Sequence, residues 1–268
     1  MNGPDNDMSF MKEMLNDLSN DYDVIAQENA TLDEIIDLID IAFAGATDDD
    51  VSLFYYSGHG VTGSNEYYSG ALQTVDYQYI STMDLAEMLS EIPGRVIVIL
   101  DSCGSGAVIS DGSENTVSIL TLDGDEPDDG NELSFDAARF NNGVIDAFSS
   151  FDSVIDQSPA GDTPGISSRA GELKQTKFYV ITGSAYEENS LTTQIDGVWG
   201  GVLTRAIASG AGCTFPGAAY TGSMPADSDS DNALSFSELA AYCKSYAEDK
   251  QHVLSYSAFP LYDIFQRR

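Results

Sequence analysis

One histidine and one cysteine stand in short glycine-containing segments that each follow an apolar run. His59 lies in Phe54-Tyr-Tyr-Ser-Gly-His-Gly60, and Cys103 lies in Val98-Ile-Leu-Asp-Ser-Cys-Gly-Ser-Gly106. A cysteine thiolate attacks carbonyl carbon, and a histidine titrates near neutral pH, so it can give the proton that a leaving amine requires. The pair indicates covalent cysteine catalysis. The backbone amides of Gly60 and Cys103 are the expected donors to an oxyanion.

The apolar runs before these residues predict the elements that position them. Val51–Ser57 and Val96–Leu100 have the pattern of strands covered on both faces of a parallel sheet. Ligands bind beyond the carboxyl ends of such strands, so neighbouring strands would direct His59 and Cys103 into one cleft. A lone cysteine is more often a small buried hydrophobe, and a lone histidine is more often structural. Two glycine-flanked polar residues at two strand ends are much harder to explain structurally.

Strands alternate with helices over most of the chain. Thr31-Leu-Asp-Glu34 is a capping box, and the helix that it starts should run to about Ala44. Other helices are predicted at 8–18, from Ser81, at 200–209 and at 237–249, and other strands at 22–27 and 178–182. This alternation predicts the α/β class, as a three-layer sandwich with a mainly parallel central sheet and helices on both faces. We expect residues 1–268 to form a single domain.

The charge balance restricts the partners. The chain has 44 acidic and 11 basic residues, a net charge of −33. Such a chain repels phosphate backbones and anionic lipid, which argues against nucleic acid and membrane surfaces and favours cations and basic peptides. Solubility is an equally good reason for the charge. No apolar run approaches transmembrane length, so no membrane insertion is expected. Three cysteines do not form a disulfide framework.

A twelve-residue stretch, 227–238, has oxygen-bearing residues at positions 1, 3, 5, 9 and 12 and an apolar residue at position 8, and a predicted helix follows. This is the spacing of an EF-hand calcium loop. The usual glycine at position 6 is Asn232, which also tolerates left-handed geometry. The alternative is an Asp/Ser-rich loop that caps the next helix. The expected ligands of a structural Ca²⁺ are the carboxylates of Asp227, Asp229, Asp231 and Glu238, the Ala233 carbonyl and the Ser235 hydroxyl.

The two motifs resemble the catalytic signature of the caspase, metacaspase and clostripain clan of cysteine peptidases. The order, with His59 before Cys103, and the separation of 44 residues both fit, and the resemblance extends over roughly residues 5–265. It implies a dyad in which His59 mainly protonates the leaving group. It also implies hydrolysis of peptide or protein substrates. The calcium spacing and the acidity favour an extracellular or cell-surface bacterial setting.

The resemblance also bears on the S1 pocket. In metacaspase-like and clostripain-like members an aspartate two residues before the cysteine lines this pocket, and Asp101 matches that position. An acidic pocket floor selects arginine or lysine at P1 through a charge-assisted hydrogen bond. The alternative for Asp101 is a strand-end carboxylate that caps local N–H groups. Ser184 and Glu187 are further S1 candidates. The sequence Ala185-Tyr-Glu-Glu188 departs from the family pattern, so Glu187, Glu188 or neither supplies a second acid.

The segment 104–176 corresponds to the intersubunit linker of the family. It lacks a strong strand pattern and is acidic, and a polar segment of this length is usually mobile or functional. Self-cleavage there and an uncut surface loop are equally supported. The candidate cleavage positions in or beside it are Arg139, Arg169, Lys174 and Lys177.

The start of the chain breaks the family pattern. Members begin with an apolar strand that lies in the middle of the sheet, whereas Met1-Asn-Gly-Pro-Asp5 leads almost directly into a helix. Processing, a misplaced start or another segment in the same position would each explain this. Two other functions stay open: a catalytically silent caspase-like binding module, and an acyl-transfer enzyme (a ligase or transpeptidase) that uses the same dyad.

Overall fold

The computed structural model describes residues 3–19, 22–62, 70–109, 177–257 and 259–267. Five α-helices and ten strands lie in these ranges. In chain order they are α1 (Pro4–Asp17), α2 (Leu32–Phe43), β1 (Val51–Ser57), β2 (Leu72–Gln73), β3 (Tyr79–Ile80), α3 (Thr82–Ser90), β4 (Arg95–Asp101), β5 (Phe178–Thr182), β6 (Thr192–Ile195), β7 (Val198–Gly201), α4 (Val202–Gly210), β8 (Ala233–Ser235), α5 (Phe236–Ala247), β9 (Leu254–Ser257) and β10 (Asp263–Gln266).

The central sheet has the strand order β1-β4-β5-β9. The first three strands are parallel, and β9 runs antiparallel to β5. The side chains of β4 alternate between the two faces, as the period of a strand requires. Ile97 and Ile99 pack into a core with α1, α4 and α5, whereas Val98 and Leu100 pack into a second core with α2 and α3. The predicted α/β sandwich, with a mainly parallel sheet and helices on both faces, is confirmed.

Local signals define the helix starts. The capping box predicted at Thr31 and Glu34 is present, and α3 and α5 begin with the same arrangement at Ser81 and Ser235. Each hydroxyl accepts a hydrogen bond from a backbone amide of the first turn, which would otherwise lack a partner. The first helix begins at Pro4 rather than at residue 8. Proline suits the first helical position because its missing N–H would have no intrahelical acceptor there.

Strand β1 differs from its prediction. Its residues are mostly half-buried, because among the described strands it pairs only with β4 and lies at an edge of the sheet. The strand predicted at 22–27 is wrong: this segment lies in no strand ladder. Tyr22 is instead held by its hydroxyl, which donates to the Ile264 carbonyl at 3.1 Å. No described strand occupies the position of the family's first strand.

The segment 104–176 is described only as far as residue 109, and its start forms a short 3₁₀ helix, Ser105–Val108. Of the candidate cleavage positions, Arg139, Arg169 and Lys174 lie outside the described residues. Lys177 is described, and its ammonium donates to the carbonyls of Ser90 and Ile92 at the end of α3. None of the described helices is long and apolar enough to cross a membrane.

Candidate active site

The register of two parallel strands brings the two motifs together. Ser57, the last residue of β1, pairs with Asp101, the last residue of β4. His59 and Cys103 each follow two residues later, so both leave the sheet at the same level of its carboxyl edge. The amide of Gly58 donates to the Asp101 carbonyl at 3.3 Å, which continues the contact beyond the strands.

Gly60 lies directly against the Cys103 backbone. A Cβ atom at Gly60 would lie 2.2 Å from the Cys103 carbonyl oxygen and 3.1 Å from its amide nitrogen, so only glycine permits this approach. Within the described ranges, the amides of Gly60 and Cys103 donate to no other residue. Both N–H groups can therefore donate to a bound group, which the prediction of an oxyanion site requires.

The His59 ring is exposed, whereas its backbone is fixed. The His59 carbonyl accepts a hydrogen bond from the Gln73 amide at 3.0 Å, and the Tyr56 hydroxyl lies 2.9 Å from the same oxygen. No hydrogen bond joins the His59 ring to the Cys103 thiol across the described part of the site. Catalytic hydrogen bonds often tighten only when substrate binds, so the lack of this bond does not exclude the pair.

Cys103 is half-buried, and its thiol points towards the Ser190 carbonyl, with 3.9 Å between sulfur and oxygen. Burial raises the pKa of this thiol, and the negative charge of Asp101 raises it further. Without a base the thiol is therefore protonated at neutral pH. Attack on a carbonyl requires the thiolate, so a nucleophilic role for Cys103 would need a nearby base.

Asp101 is buried, with 4% of its surface exposed. One carboxylate oxygen accepts from the amide and the hydroxyl of Thr204 at 2.9 and 2.8 Å, and the other accepts from the Ser190 hydroxyl at 2.7 Å. Gly201 permits this packing, since a Cβ atom there would lie 2.1 Å from a carboxylate oxygen. Asp101 thus accepts hydrogen bonds from local donors, as expected of a strand-end carboxylate that caps N–H groups. These contacts do not decide whether Asp101 also lines the S1 pocket.

A second buried carboxylate, which the sequence reasoning missed, lies beside Asp101. Asp7 is fully buried and accepts from the Gly201 amide at 3.0 Å and from the Ser57 hydroxyl at 2.7 Å. Burial raises the pKa of Asp7 to about 7, and the charge of Asp101 contributes to the rise. Its position was the available signal, because Asp7 precedes Phe10 and Met11 at helical spacing and so lies on the apolar face of α1.

The other predicted S1 residues do not meet Asp101. Ser184 is fully buried, and its hydroxyl donates to the Ser102 carbonyl at 2.9 Å. Glu187 is exposed. Ser190, which the sequence reasoning did not identify, makes the contact with Asp101 instead. It comes from the irregular segment between β5 and β6, where no periodic pattern marks a buried polar residue.

The predicted calcium loop forms a turn with clustered carboxylates. Ligand atoms of Asp227, Asp229 and Asp231 lie within 4.8 Å of one another. Asn232 has a φ of 67°, so asparagine adopts the left-handed geometry expected at position 6. Burial raises the pKa of Asp229, and the nearby charges of Asp231, Glu238 and Asp227 raise it further. Four acidic groups therefore repel one another here, which suits a hard cation with oxygen ligands.

Two predicted ligands also serve the next helix. Both oxygens of Glu238 accept hydrogen bonds, one from Ser228 and the other from the amide and hydroxyl of Ser235. Ala233 and Ser235 lie in β8, which pairs with β10 near the end of the chain. Residues 211–226, which lead into the loop, form no helix. The donor set fits calcium, and helix capping uses part of the same set.

The raised pKa of Asp7 predicts how the free energy of unfolding depends on pH. Since the folded protein keeps a proton on Asp7 that the unfolded chain has lost, the free energy of unfolding should fall as pH rises from about 4 to about 7. Asp7→Asn should flatten this part of the profile in urea unfolding experiments. Asp5→Asn, at an exposed position of the same helix, is the matched control. Parallel profiles for wild type and Asp7→Asn would contradict the assignment.

Comparison with known proteins shows the family to which the chain belongs. Among solved structures, 62 chains match, including the crystal structure of Chaetomium thermophilum Raptor, at 13% identity and a TM-score of 0.40, with 78% of this chain and 14% of that chain covered. This chain thus spans a small part of that protein. No curated protein matches. A family model for the caspase domain, Peptidase_C14, matches residues 1–258, and the chain therefore belongs to the caspase-domain family of cysteine peptidases.

Proposed function

We propose that the chain is a cysteine endopeptidase whose nucleophile is Cys103 and whose acid/base is His59. One observation carries this proposal: the β1–β4 register and the Gly60 contact bring the two motifs to the same point on the sheet edge. The raised pKa of the Cys103 thiol supports it, because that thiol needs a base. Membership of the caspase-domain family indicates peptide or protein substrates.

The proposed reaction has two stages. His59 takes the thiol proton as the Cys103 sulfur attacks the scissile carbonyl, and the Gly60 and Cys103 amides donate to the oxyanion that forms. The C–N bond then breaks, His59 gives its proton to the leaving amine, and a thioester remains on Cys103. In the second stage water, deprotonated by His59, attacks the thioester. The C–S bond then breaks, His59 returns its proton to the Cys103 sulfur, and the carboxylic acid product leaves.

We further propose a preference for arginine or lysine at P1. Asp101 and Asp7 place two acidic groups together behind the cysteine, and burial raises the pKa of both. A cationic side chain near this pair would stabilise the ionised carboxylates. The charge of Arg205 lowers the pKa of Asp7, but its guanidinium donates to the Val198 carbonyl and lies over the Phe215 ring, so other groups already engage it.

Self-processing is part of the proposal, with one position disfavoured. The Lys177 ammonium binds carbonyls at the end of α3, where the helix dipole favours a positive charge. It would have to leave these contacts to enter an S1 pocket. Among the candidates, Arg139, Arg169 and Lys174 are therefore preferred over Lys177 as cleavage positions.

We also propose that residues 227–238 bind a structural calcium ion. Asp227, Asp229 and Asp231 would supply carboxylate oxygens, with the Ala233 carbonyl, Ser235 and Glu238 completing the set. The ion would offset the repulsion from Asp231, Glu238 and Asp227, which adds to the effect of burial in raising the pKa of Asp229. It would also link the loop to α5 and to the β8–β10 pair.

Hydrolysis of fluorogenic peptides tests the peptidase directly. The wild type should cleave peptides with arginine or lysine at P1, and Cys103→Ala should lower kcat/KM by about 10³-fold or more. Cys243→Ala changes a buried cysteine far along the chain and should retain activity. Labelling with a peptidyl ketone and product analysis with an added amine complete the experiment.

Several results would contradict this proposal. Cleavage only after aspartate would contradict the proposed preference for arginine or lysine at P1. A folded chain that neither cleaves peptides nor labels at Cys103 would be a silent binding module. Transfer of the acyl group to the added amine, in place of hydrolysis, would identify a ligase or transpeptidase.

Thermal unfolding tests the calcium site. A hundredfold excess of calcium over its Kd should raise Tm by about 5 °C or more, since binding to the folded state alone adds about 2.7 kcal/mol. The double variant Asp229→Asn/Asp231→Asn should lose this rise while keeping an oxygen for each turn hydrogen bond. Asp48→Asn/Asp49→Asn, an exposed acidic pair elsewhere, should keep it. An equal rise in both double variants would place any bound calcium elsewhere.

A further inference from the structure

The loop 183–191, which joins β5 to β6, contacts the segment around Cys103 and the buried carboxylate of Asp101. The Gly104 amide donates to the Glu188 carbonyl at 2.8 Å, and the Cys103 thiol points to the Ser190 carbonyl. The Ser190 hydroxyl holds Asp101. A shift of this loop would therefore move the surroundings of the nucleophile and of the buried carboxylate together.

Two consecutive residues outside the loop hold it. The side-chain oxygen of Gln251 accepts from the Leu191 amide at 2.7 Å. The amide of His252 donates to one carboxylate oxygen of Glu188 at 2.9 Å, and its ring nitrogen Nδ1 lies 3.1 Å from the other. The two contacts fall on either side of Ser190, the residue that reaches both Cys103 and Asp101.

These two residues are themselves anchored by regular structure. The Gln251 amide donates to the Ala247 carbonyl in the last turn of α5. Two residues after His252 the chain enters β9, which pairs with β5. Within the loop, the Glu188 amide donates to the Ala185 carbonyl at 3.2 Å, and the Ala185 amide donates to the Glu188 carboxylate at 3.0 Å. Its ends are also held, because the Gly183 amide donates to the Leu100 carbonyl at 2.8 Å and the Val202 amide donates to the Leu191 carbonyl at 2.9 Å.

Burial and charge agree with a holding role. Gln251 is 2% exposed, so its amide oxygen is withdrawn from competing water. The Gln251 Nε2 group has no partner among the described atoms, so the Leu191 contact is the only one that its side chain makes there. For Glu188, burial raises the pKa, but hydrogen bonds from Ala185 and His252 outweigh it, and the net shift is downward. The carboxylate that His252 holds is therefore charged at neutral pH.

We propose that Gln251 and His252 are positioning residues for the Cys103 centre. They fix the loop 183–191, and through it the carbonyls of Ser190 and Glu188 set the orientation of the Cys103 thiol and of the Gly104 backbone. Neither residue contacts the reacting atoms. This inference rests on the proposed peptidase function. Gln251 and His252 belong to neither catalytic motif, and they act on Cys103 through the loop 183–191.

Three glutamine variants test the proposal. Gln251→Met keeps the size of the side chain and removes the acceptor, whereas Gln251→Glu keeps an oxygen at that place. Gln194→Met makes the same change at an exposed glutamine beyond the loop. Gln251→Met should lower kcat/KM for an arginine-P1 peptide by about 10–100-fold, mostly through kcat. Gln251→Glu and Gln194→Met should stay within about threefold of the wild type.

Hydrogen–deuterium exchange reports on the loop independently of activity. Amides in 183–191 should exchange about tenfold faster in Gln251→Met than in the wild type, with Gln194→Met unchanged. His252→Ala, which removes the ring contact and keeps the amide contact, should act in the same direction and less strongly. The rate at which iodoacetamide alkylates Cys103 should also change in Gln251→Met.

The outcomes separate this inference from the proposed function. Unchanged loop exchange in Gln251→Met would overturn the positioning role, whether or not the wild type cleaves peptides. Faster exchange with unchanged kcat in an active enzyme would overturn it as well. A wild type that cleaves no peptide would contradict the proposed function. The exchange and alkylation rates would still show whether Gln251 holds the loop around Cys103.

Discussion

The parallel pairing of β1 with β4 is the constraint on which the candidate site depends. Because Ser57 pairs with Asp101, the two residues that follow each strand reach the same level, and His59 and Cys103 leave the sheet side by side. A one-residue shift in this register would move one motif along the edge and reverse the faces of β1. The alternating packing of Ile97 and Val98 into two separate cores fixes the register, so the hydrophobic core sets the geometry of the site.

A second layer of polar contacts lies directly behind the nucleophile. Asp7 lies in α1 and Asp101 ends β4. Donors from Ser57, Ser190, Thr204 and Gly201 surround the two carboxyl groups. Burying two carboxylates together is unfavourable unless each is well hydrogen-bonded, and here each accepts several bonds. Burial is the main cause of the raised pKa of Asp7, and the charge of Asp101 adds to it. A cationic substrate group would reduce it, which connects the stability of the site to the proposed P1 preference.

Short patterns in the sequence predicted the strands and helices that depend on contacts between residues close together in the chain. The strands Val51–Ser57 and Phe178–Thr182 and the helix capped by Thr31 follow from apolar runs and a capping box, and the structure has them at these positions. Ser190 and Gln251 could not be found in this way, since their partners lie far away in the sequence. For Asp7, helical spacing indicates burial but not its distant partners Ser57 and Gly201. The edge position of β1 was missed for the same reason: an apolar run shows burial without showing which strands lie beside it. The strand predicted at 22–27 failed because a strand requires a neighbour, and none of the described strands pairs with it.

The most direct test of the account is a crystal structure of the protein after reaction with a peptidyl ketone that carries arginine at P1. We expect a bond from the Cys103 sulfur to the inhibitor, with the inhibitor oxygen about 2.7–3.1 Å from the amide nitrogens of Gly60 and Cys103. The His59 ring should face the same carbon, and the arginine side chain should point towards Asp101 and Asp7. An adduct on another cysteine, or a His59 ring turned away from the bound inhibitor, would contradict the assignment of this site.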